Sequence, residues 1–186
     1  MVVVIKNLNT NTSSYRVILL CEVDSLMKFK QELKATDCFK RVEDGFYYVE
    51  NTKKETKVTL TRAVKSVIVA YASTSAQISA DQVSCAGRHN FWSVKQEVLE
   101  KDGEGDVICT RQKPLQLYEH LIKEFTPPGS WILDGICGAG TAVIAGLLND
   151  VSVVGIDTDE RCISHCKVRC ESLLGLVDSE DMSDME

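Results

Sequence analysis

Prolines are scarce in this sequence, with only three among 186 residues, and they lie at positions 114, 127 and 128. Aromatic residues make up only 6%. No uninterrupted apolar run approaches the roughly 18 residues that a membrane-spanning helix needs. The chain is nevertheless 44% hydrophobic and 26% charged, which is enough apolar material for one packed domain. We therefore expect a folded, soluble protein with no membrane partner.

The first residues lack the basic flank and the cleavage region of a signal peptide. This start predicts an intracellular protein, either cytoplasmic or nuclear. Eight cysteines are dispersed along the chain, and without an export signal we expect them to be free thiols.

Charge divides the chain unevenly. Residues 178–186 hold five acids and no base, which leaves a net charge of −1 on the other 177 residues. We expect a single domain over residues 1–177 followed by an acidic, disordered tail at 178–186. Residues 1–113 carry +3 and residues 114–186 carry −9, so any phosphate-binding surface belongs to the first part. The bases there are interleaved with acids, which is more typical of a solvated face than of a nucleic-acid site.

The front part reads as short strands around one helix. Apolar and β-branched runs predict strands at 15–23, 46–50, 57–62 and 66–71. Asp24 can cap a helix in which Leu26, Phe29 and Leu33 recur at helical spacing. Turn-forming residues follow at 73–87 and 102–106.

The back part has a clearer pattern. An apolar helical face over 115–125 ends before the prolines at 127 and 128. A strand at 131–133, a glycine-rich turn at 134–140, a helix to about 148, a strand at 151–156 and a helix over about 159–174 then follow. This order predicts a parallel crossover unit of a doubly wound α/β sheet.

The glycine-rich turn has the features of a nucleotide-type binding loop. Gly135, Gly138 and Gly140 let the backbone turn sharply and approach a ligand, because no Cβ intervenes. The next helix offers free N–H groups at its start. Asp157 lies at the end of the following strand, where it can accept hydrogen bonds from both hydroxyls of a ribose.

Three interpretations of this loop remain open. A dinucleotide fingerprint started at Gly138 requires a small third residue and meets Val143 instead. S-adenosylmethionine fits better, because its positively charged amino acid moiety requires negative charge nearby and Asp134 supplies it. The third interpretation is a tight turn that binds nothing.

Several motifs in a fixed order, from residue 112 to residue 157, narrow the choice of protein family. The motifs follow one another in this order: Gln112-Lys-Pro114, a helix, Thr126-Pro-Pro-Gly129, Trp131-Ile-Leu-Asp134, Gly138-Ala-Gly-Thr141 and Val154-Gly-Ile-Asp157. Over residues 111–174 the sequence resembles the end of a DNA N4-cytosine/N6-adenine methyltransferase domain. The loop of that family usually reads Asp-Pro-Phe-x-Gly-Ser-Gly-Thr. This chain departs from it at Gly135, Ile136 and Ala139.

The resemblance implies a Rossmann-like fold of the S-adenosylmethionine-dependent methyltransferase type. Its mostly parallel sheet would be permuted, so that the cofactor half comes last. The implied cofactor is S-adenosylmethionine, with Lys113 and Pro114 lining its pocket, the loop 134–141 holding its amino acid moiety and Asp157 its ribose. The implied cofactor-binding residues are Lys113, Pro114, Asp134, Gly135, Cys137, Gly138, Gly140, Thr141 and Asp157.

The family's catalytic tetrapeptide is missing. It consists of Asp, Asn or Ser, then Pro-Pro, then an aromatic residue that stacks on a flipped base. The one Pro-Pro pair here is followed by Gly129, so we assign no catalytic residue. By position, the strand 67–73 could present Tyr71 for stacking and Ser73 for hydrogen bonding. The segment from Arg88 to Trp92 resembles a polar-aromatic segment of the family, or it anchors a loop into the core through Trp92.

Two functions follow from the resemblance. The first is methyl transfer to an exocyclic amino nitrogen of adenine or cytosine, with DNA as partner. The second is a catalytically inactive subunit that binds S-adenosylmethionine, nucleic acid or a protein partner supplying the missing function.

A metal site is the weakest alternative for the last helix. Cys162, His165, Cys166 and Cys170 share this helix, but steps of four residues drift around it and no second cluster faces them. Cys85 and His89 make a weaker pair still. We expect no metal, and we expect Cys137 to pack beneath the glycine turn.

Overall fold

The computed structural model describes residues 2–7 (backbone only), 15–50, 64–72, 90–99, 101, 104–126 and 129–176. The strands are β1 (Val2–Asn7), β2 (Tyr15–Cys21), β3 (Arg41–Glu50), β4 (Val64–Tyr71), β5 (Phe91–Lys95), β6 (Ser130–Asp134) and β7 (Ser152–Gly155). The helices are α1 (Leu26–Ala35), α2 (Leu115–Phe125), α3 (Thr141–Leu148) and α4 (Glu160–Leu173). The strands form one sheet in the order β5-β3-β4-β2-β1-β6-β7.

The predicted crossover unit is confirmed, because β6 and β7 are parallel neighbours joined through α3. The sheet is less parallel than expected. Strands β2, β3, β5, β6 and β7 run in one direction, but β1 and β4 run against them. Four of the six pairings are therefore antiparallel. The reason is that β1 pairs directly with β2, and β3 with β4, whereas parallel neighbours need a long crossover connection.

Helices cover both faces of the sheet, as a doubly wound fold requires. On one face α2 and α3 build the main core, and α2 buries its apolar stripe there, namely Leu117, Tyr118, Leu121, Ile122 and Phe125. On the other face α1 packs Leu26 and Phe29 against Leu19 and Ile68. No helix in the described ranges is both long and apolar enough to cross a membrane.

Two helix starts were predicted, and one prediction is wrong. A 3-10 turn, Val23–Ser25, precedes α1, so Ser25 rather than Asp24 occupies the N-cap position. The predicted start of the last helix at about residue 159 is confirmed, and Asp159 is its N-cap: one of its oxygens accepts hydrogen bonds from the backbone N–H groups of Arg161 and Cys162, at 3.0 and 3.3 Å. The strand predicted at 57–62, the turn at 73–87 and the tail at 178–186 lie outside the described residues.

Candidate cofactor site at the carboxyl end of β6 and β7

The glycine loop, residues 134–140, closes over the ends of the two parallel strands. Asp134 ends β6 and pairs with Gly155, the last residue of β7. The backbone N–H of Cys137 donates to the carbonyl of Ile156 at 2.9 Å, and that of Gly140 donates to the carbonyl of Cys137 at 2.9 Å. The loop is thus tied both to the neighbouring strand and to itself.

The loop is packed tightly below and open above. Gly138 and Gly140 have φ values of +52° and +72°, the left-handed region that favours glycine. A Cβ at Gly140 would come within 2.0 Å of Sγ of Cys166, whereas a Cβ at Gly135 or Gly138 would meet nothing within 4 Å. The open side leaves room for a ligand to approach the backbone.

Asp157 stands beside this open side with an ionised carboxylate. One oxygen accepts a hydrogen bond from the N–H of Gly138 at 2.7 Å, and the other accepts from the N–H of Asp159 at 3.0 Å. Backbone hydrogen bonds, first from Asp159 and then from Gly138, hold the pKa of Asp157 below its ordinary value. A carboxylate has about four acceptor positions, so Asp157 retains capacity to accept from a ligand donor such as a ribose hydroxyl.

Asp134 lies beneath the loop rather than on its open side. Alternate residues of β6 are buried, and the Asp134 side chain is fully enclosed. Its carboxylate accepts hydrogen bonds from the N–H of Ile136 at 3.2 Å and from the hydroxyl of Tyr118 at 3.5 Å. Burial raises its pKa. Its carboxyl group therefore lies under the loop, where burial favours the neutral form.

Tyr118 is a site residue that sequence reasoning missed. It lies on α2, 4% exposed, and burial followed by the nearby Asp134 raises its pKa well above the ordinary value. Its place in the apolar stripe of α2 indicates a core residue. Only the tertiary structure shows that its hydroxyl meets a carboxylate.

Lys113 and Pro114 lie at the same end of the sheet as the glycine loop, near the end of β2 and the start of β4. Pro114 is buried at the N-cap of α2. Burial and the neighbouring Lys65 lower the pKa of Lys113, and its ammonium group donates to the carbonyl of Arg111 at 3.2 Å. Lys65 in turn forms an ion pair with Glu22 at 2.8 Å, where β4 begins and β2 ends.

Glu97 fixes the start of α2, and sequence reasoning missed it too. Its carboxylate accepts hydrogen bonds from the N–H of Leu115 and, at 3.2 Å, from the side-chain amide of Gln112. A carboxylate at a helix N-terminus is favourable because the first N–H groups have no partner within the helix. Glu97 is distant in sequence, so no local capping pattern reveals it.

The remaining predicted residues lie within or under the loop. Cys137 is buried, and burial raises the pKa of its thiol to about 11, so the thiol is protonated and packs as predicted. Thr141 is buried as the first residue of α3. Beneath Gly140, burial raises the pKa of Cys166 to about 12.

The expectation of free thiols is wrong for one pair. Cys109 and Cys162 form a disulfide across 53 residues, because the segment before α2 packs against the first turn of α4 with a Cα–Cα distance of 5.9 Å. The pair contacts Ala139 of the glycine loop. Within the described part of the chain, no group of three or more His, Cys, Asp or Glu side chains is arranged to hold a metal ion.

The suggestion that Tyr71 stacks on a base is also wrong. Because β4 runs against β6, Tyr71 pairs with Arg16 at the start of β2, at the end of the sheet opposite to Asp134. Tyr71 is 1% exposed, its ring lies 4.1 Å from the guanidinium carbon of Arg41, and its hydroxyl donates to Glu43 at 3.1 Å. Ser73 lies outside the described residues.

Trp92 has the anchoring role that was the alternative to a functional one. It is buried in β5, and its indole N–H donates to Glu124 of α2 at 2.9 Å. Arg88, His89 and Cys85 lie outside the described residues.

Comparison with solved structures places this fold among methyltransferases. The complex of M1.HpyAVI with SAM is 19% identical, with a TM-score of 0.66 over 82% of this chain and 72% of that chain. TTHA0409, a putative DNA modification methylase of Thermus thermophilus solved with S-adenosyl-L-methionine, is 13% identical, with a TM-score of 0.60 over 84% and 69%. The cytosine-N4-specific PvuII DNA methyltransferase is 15% identical, with a TM-score of 0.59 over 76% and 54%. At these identities the likeness concerns the fold.

The family itself is shown by the sequence. No curated protein matches the chain. The N6/N4 methyltransferase family model, described as DNA methylase, matches residues 8–167 and so covers most of the chain, including strands β2 to β7 and the glycine loop. The protein therefore belongs to the N6/N4 DNA methylase family.

Proposed function

We propose that the glycine loop and Asp157 bind S-adenosylmethionine, and that the protein acts in methyl transfer to an exocyclic amino nitrogen of adenine or cytosine in DNA. The observation that carries the proposal is the Asp157 carboxylate. It is ionised and accessible, and it is fixed by the N–H of Gly138 beside the open side of the loop.

The residues present fit this cofactor. The loop offers open space above Gly135 and Gly138. Gly140 provides no capping side chain for α3, so N–H groups of the first turn are available to a polar ligand. Two solved proteins of the same fold, M1.HpyAVI and TTHA0409, were crystallised with this compound.

Each part of the site then has a distinct role. S-adenosylmethionine, when bound, supplies an electrophilic methyl group on a sulfonium. Asp157 accepts hydrogen bonds from the ribose hydroxyls, and the loop 134–141 holds the amino acid moiety. Asp134 contributes negative charge from beneath that moiety, while Lys113 and Pro114 form the wall on the side of β2 and β4.

Membership of a DNA methylase family favours an enzyme over a non-catalytic subunit. No residue is assigned to activating the target amine, because the Pro-Pro-aromatic tetrapeptide is absent from the sequence and Tyr71 lies at the opposite end of the sheet. Transfer of labelled methyl from S-adenosylmethionine to single-stranded and double-stranded DNA distinguishes the two functions. Incorporation supports the enzyme, and binding without incorporation supports the subunit.

Cofactor binding is tested by calorimetric titration of the protein with S-adenosylmethionine. Asp157→Ala should weaken binding by about 1–3 kcal/mol, because two hydroxyl groups lose their acceptor. Glu171→Ala, which removes an exposed carboxylate from α4, is the matched control and should leave affinity unchanged. Absence of binding to the unaltered protein would refute the proposal, and equal affinities of the two variants would remove Asp157 from it.

A further inference from the structure

Arg169 connects the last helix to the glycine loop. It lies on the third turn of α4, and its Nη1 donates a hydrogen bond to the carbonyl of Ala139 at 2.7 Å, across 30 residues of sequence. The length is that of a short charge-assisted bond, the stronger class of hydrogen bond. The bond ends on the loop backbone, so it does not depend on the side chain at 139.

The accepting carbonyl belongs to the one residue between two glycines of the loop. Ala139 stands between Gly138 and Gly140, both with positive φ. The peptide group that carries this carbonyl joins Ala139 to Gly140, and Gly140 has no Cβ to restrict its orientation on that side. The carbonyl of Ala139 belongs to the same peptide group as the N–H of Gly140, which donates to Cys137. Fixing one end of this group therefore fixes both.

Two attachments of the loop come from the same β7–α4 unit. Asp157, just after β7, accepts from the N–H of Gly138, and Arg169 donates to the carbonyl of Ala139. Between them, Cys166 fills the space beneath Gly140. The proposed ribose acceptor and the loop that holds the amino acid moiety are thus fixed relative to each other.

We infer that Arg169 is a positioning residue that holds the glycine loop in its binding conformation through the Ala139 carbonyl. It acts through the loop backbone, which its guanidinium group contacts directly. The inference deepens the proposed function, and its effect on affinity rests on that function. Its effect on the free loop does not.

The first test needs no cofactor. Hydrogen–deuterium exchange of peptides covering residues 134–141 should be about five- to tenfold faster in Arg169→Met than in the unaltered protein, because the loop opens more readily. Lys167→Met, which removes an exposed cation from the same helix, is the matched control and should not change loop exchange. Equal exchange in the two variants overturns the inference.

The second test is the dissociation constant of S-adenosylmethionine by calorimetry. Arg169→Met should weaken binding about tenfold, whereas Arg169→Lys, which keeps a cationic donor, should stay within about threefold of the unaltered protein. Loss in Arg169→Lys as large as in Arg169→Met overturns a role through the hydrogen bond. If the unaltered protein does not bind, the proposed function fails, and the exchange experiment still decides on Arg169.

Discussion

Each end of the sheet buries a tyrosine beside charged groups, but the two ends differ in the signs of those groups. At one end Tyr71 lies under the guanidinium of Arg41, and its hydroxyl donates to Glu43. The guanidinium carbon of Arg16 lies 5.8 Å from the centroid of the same ring. At the other end Tyr118 donates to the carboxylate of Asp134. The ion pairs among the described residues include none on Asp134.

This difference agrees with the proposal that the ligand binds at the loop end. Around Tyr71, cations and an acid compensate one another within the protein, so burial is already balanced. Around Asp134, burial raises the pKa of a carboxyl group that accepts hydrogen bonds from Ile136 and Tyr118 but forms no ion pair with another described side chain. A cationic ligand above the loop would favour the ionised form of that group. A cationic ligand would therefore be stabilised at the loop end, where a buried carboxyl group lacks a cationic side chain, and not at the Tyr71 end.

The largest expected effect is at the loop end. Gly140→Ala should lower the free energy of unfolding by about 3 kcal/mol, because it combines a left-handed backbone with overpacking. The new Cβ would lie 2.0 Å from Sγ of Cys166. Binding of S-adenosylmethionine should be lost with it. Urea unfolding followed by circular dichroism measures the first effect, and calorimetry the second.

The matched control is Gly138→Ala, which has a positive φ but no atom within 4 Å of the new Cβ. It should lower the free energy of unfolding by only about 1 kcal/mol, the backbone contribution alone. If the two variants are equally stable, the packing of Cys166 beneath the loop is not what requires glycine at 140.

The next effect belongs to the opposite end. Arg16 is 7% exposed, and its Nη1 donates to the carbonyl of Phe125 at 2.7 Å. Arg16→Met should reduce the free energy of unfolding by about 2 kcal/mol, because a buried carbonyl loses a charged donor. It should leave affinity for S-adenosylmethionine unchanged. Lys28→Met, at an exposed position of α1, is the control; weaker cofactor binding in Arg16→Met alone would erase the proposed contrast between the two ends.

The smallest effect is the pH dependence of Asp134. The pKa of Asp134 is higher in the folded protein than in the unfolded chain. The protonated group therefore contributes stability at pH values below its pKa in the unfolded chain, and this contribution is lost as the pH rises through its pKa in the folded protein. Asp134→Asn does not titrate. The stability difference between the unaltered protein and this variant should therefore fall above about pH 4, by about 1.4 kcal/mol for every pH unit that separates the folded from the unfolded pKa. Urea unfolding at a series of pH values from acid to neutral measures it, and a constant difference would contradict the burial argument.

Several elements could be predicted because their signals are local. These are the apolar stripe of α2, the glycine turn, the acid at 157 and the start of the last helix near residue 159, and each depends on residues that are close together in the sequence. The failures share a different cause. Asp24 was displaced by a turn that the sequence did not indicate, and the direction of β4 depends on its partners β2 and β3.

The site shows the same division. Asp157 could be placed beside the loop because the ends of parallel neighbours meet at one edge. The contacts of Tyr118, Glu97 and Arg169 could not be predicted, since each joins groups that are far apart in sequence. The same holds for the disulfide between Cys109 and Cys162.

The sequence by itself determined the family, the crossover unit and the loop with its acid, because these depend on residue types at short, fixed spacing. Only the tertiary structure decided which end of the sheet each side chain reaches. That depends on strand direction and on packing between distant segments. These place Tyr71 at the opposite end of the sheet from the site, and Tyr118 and Arg169 beside it.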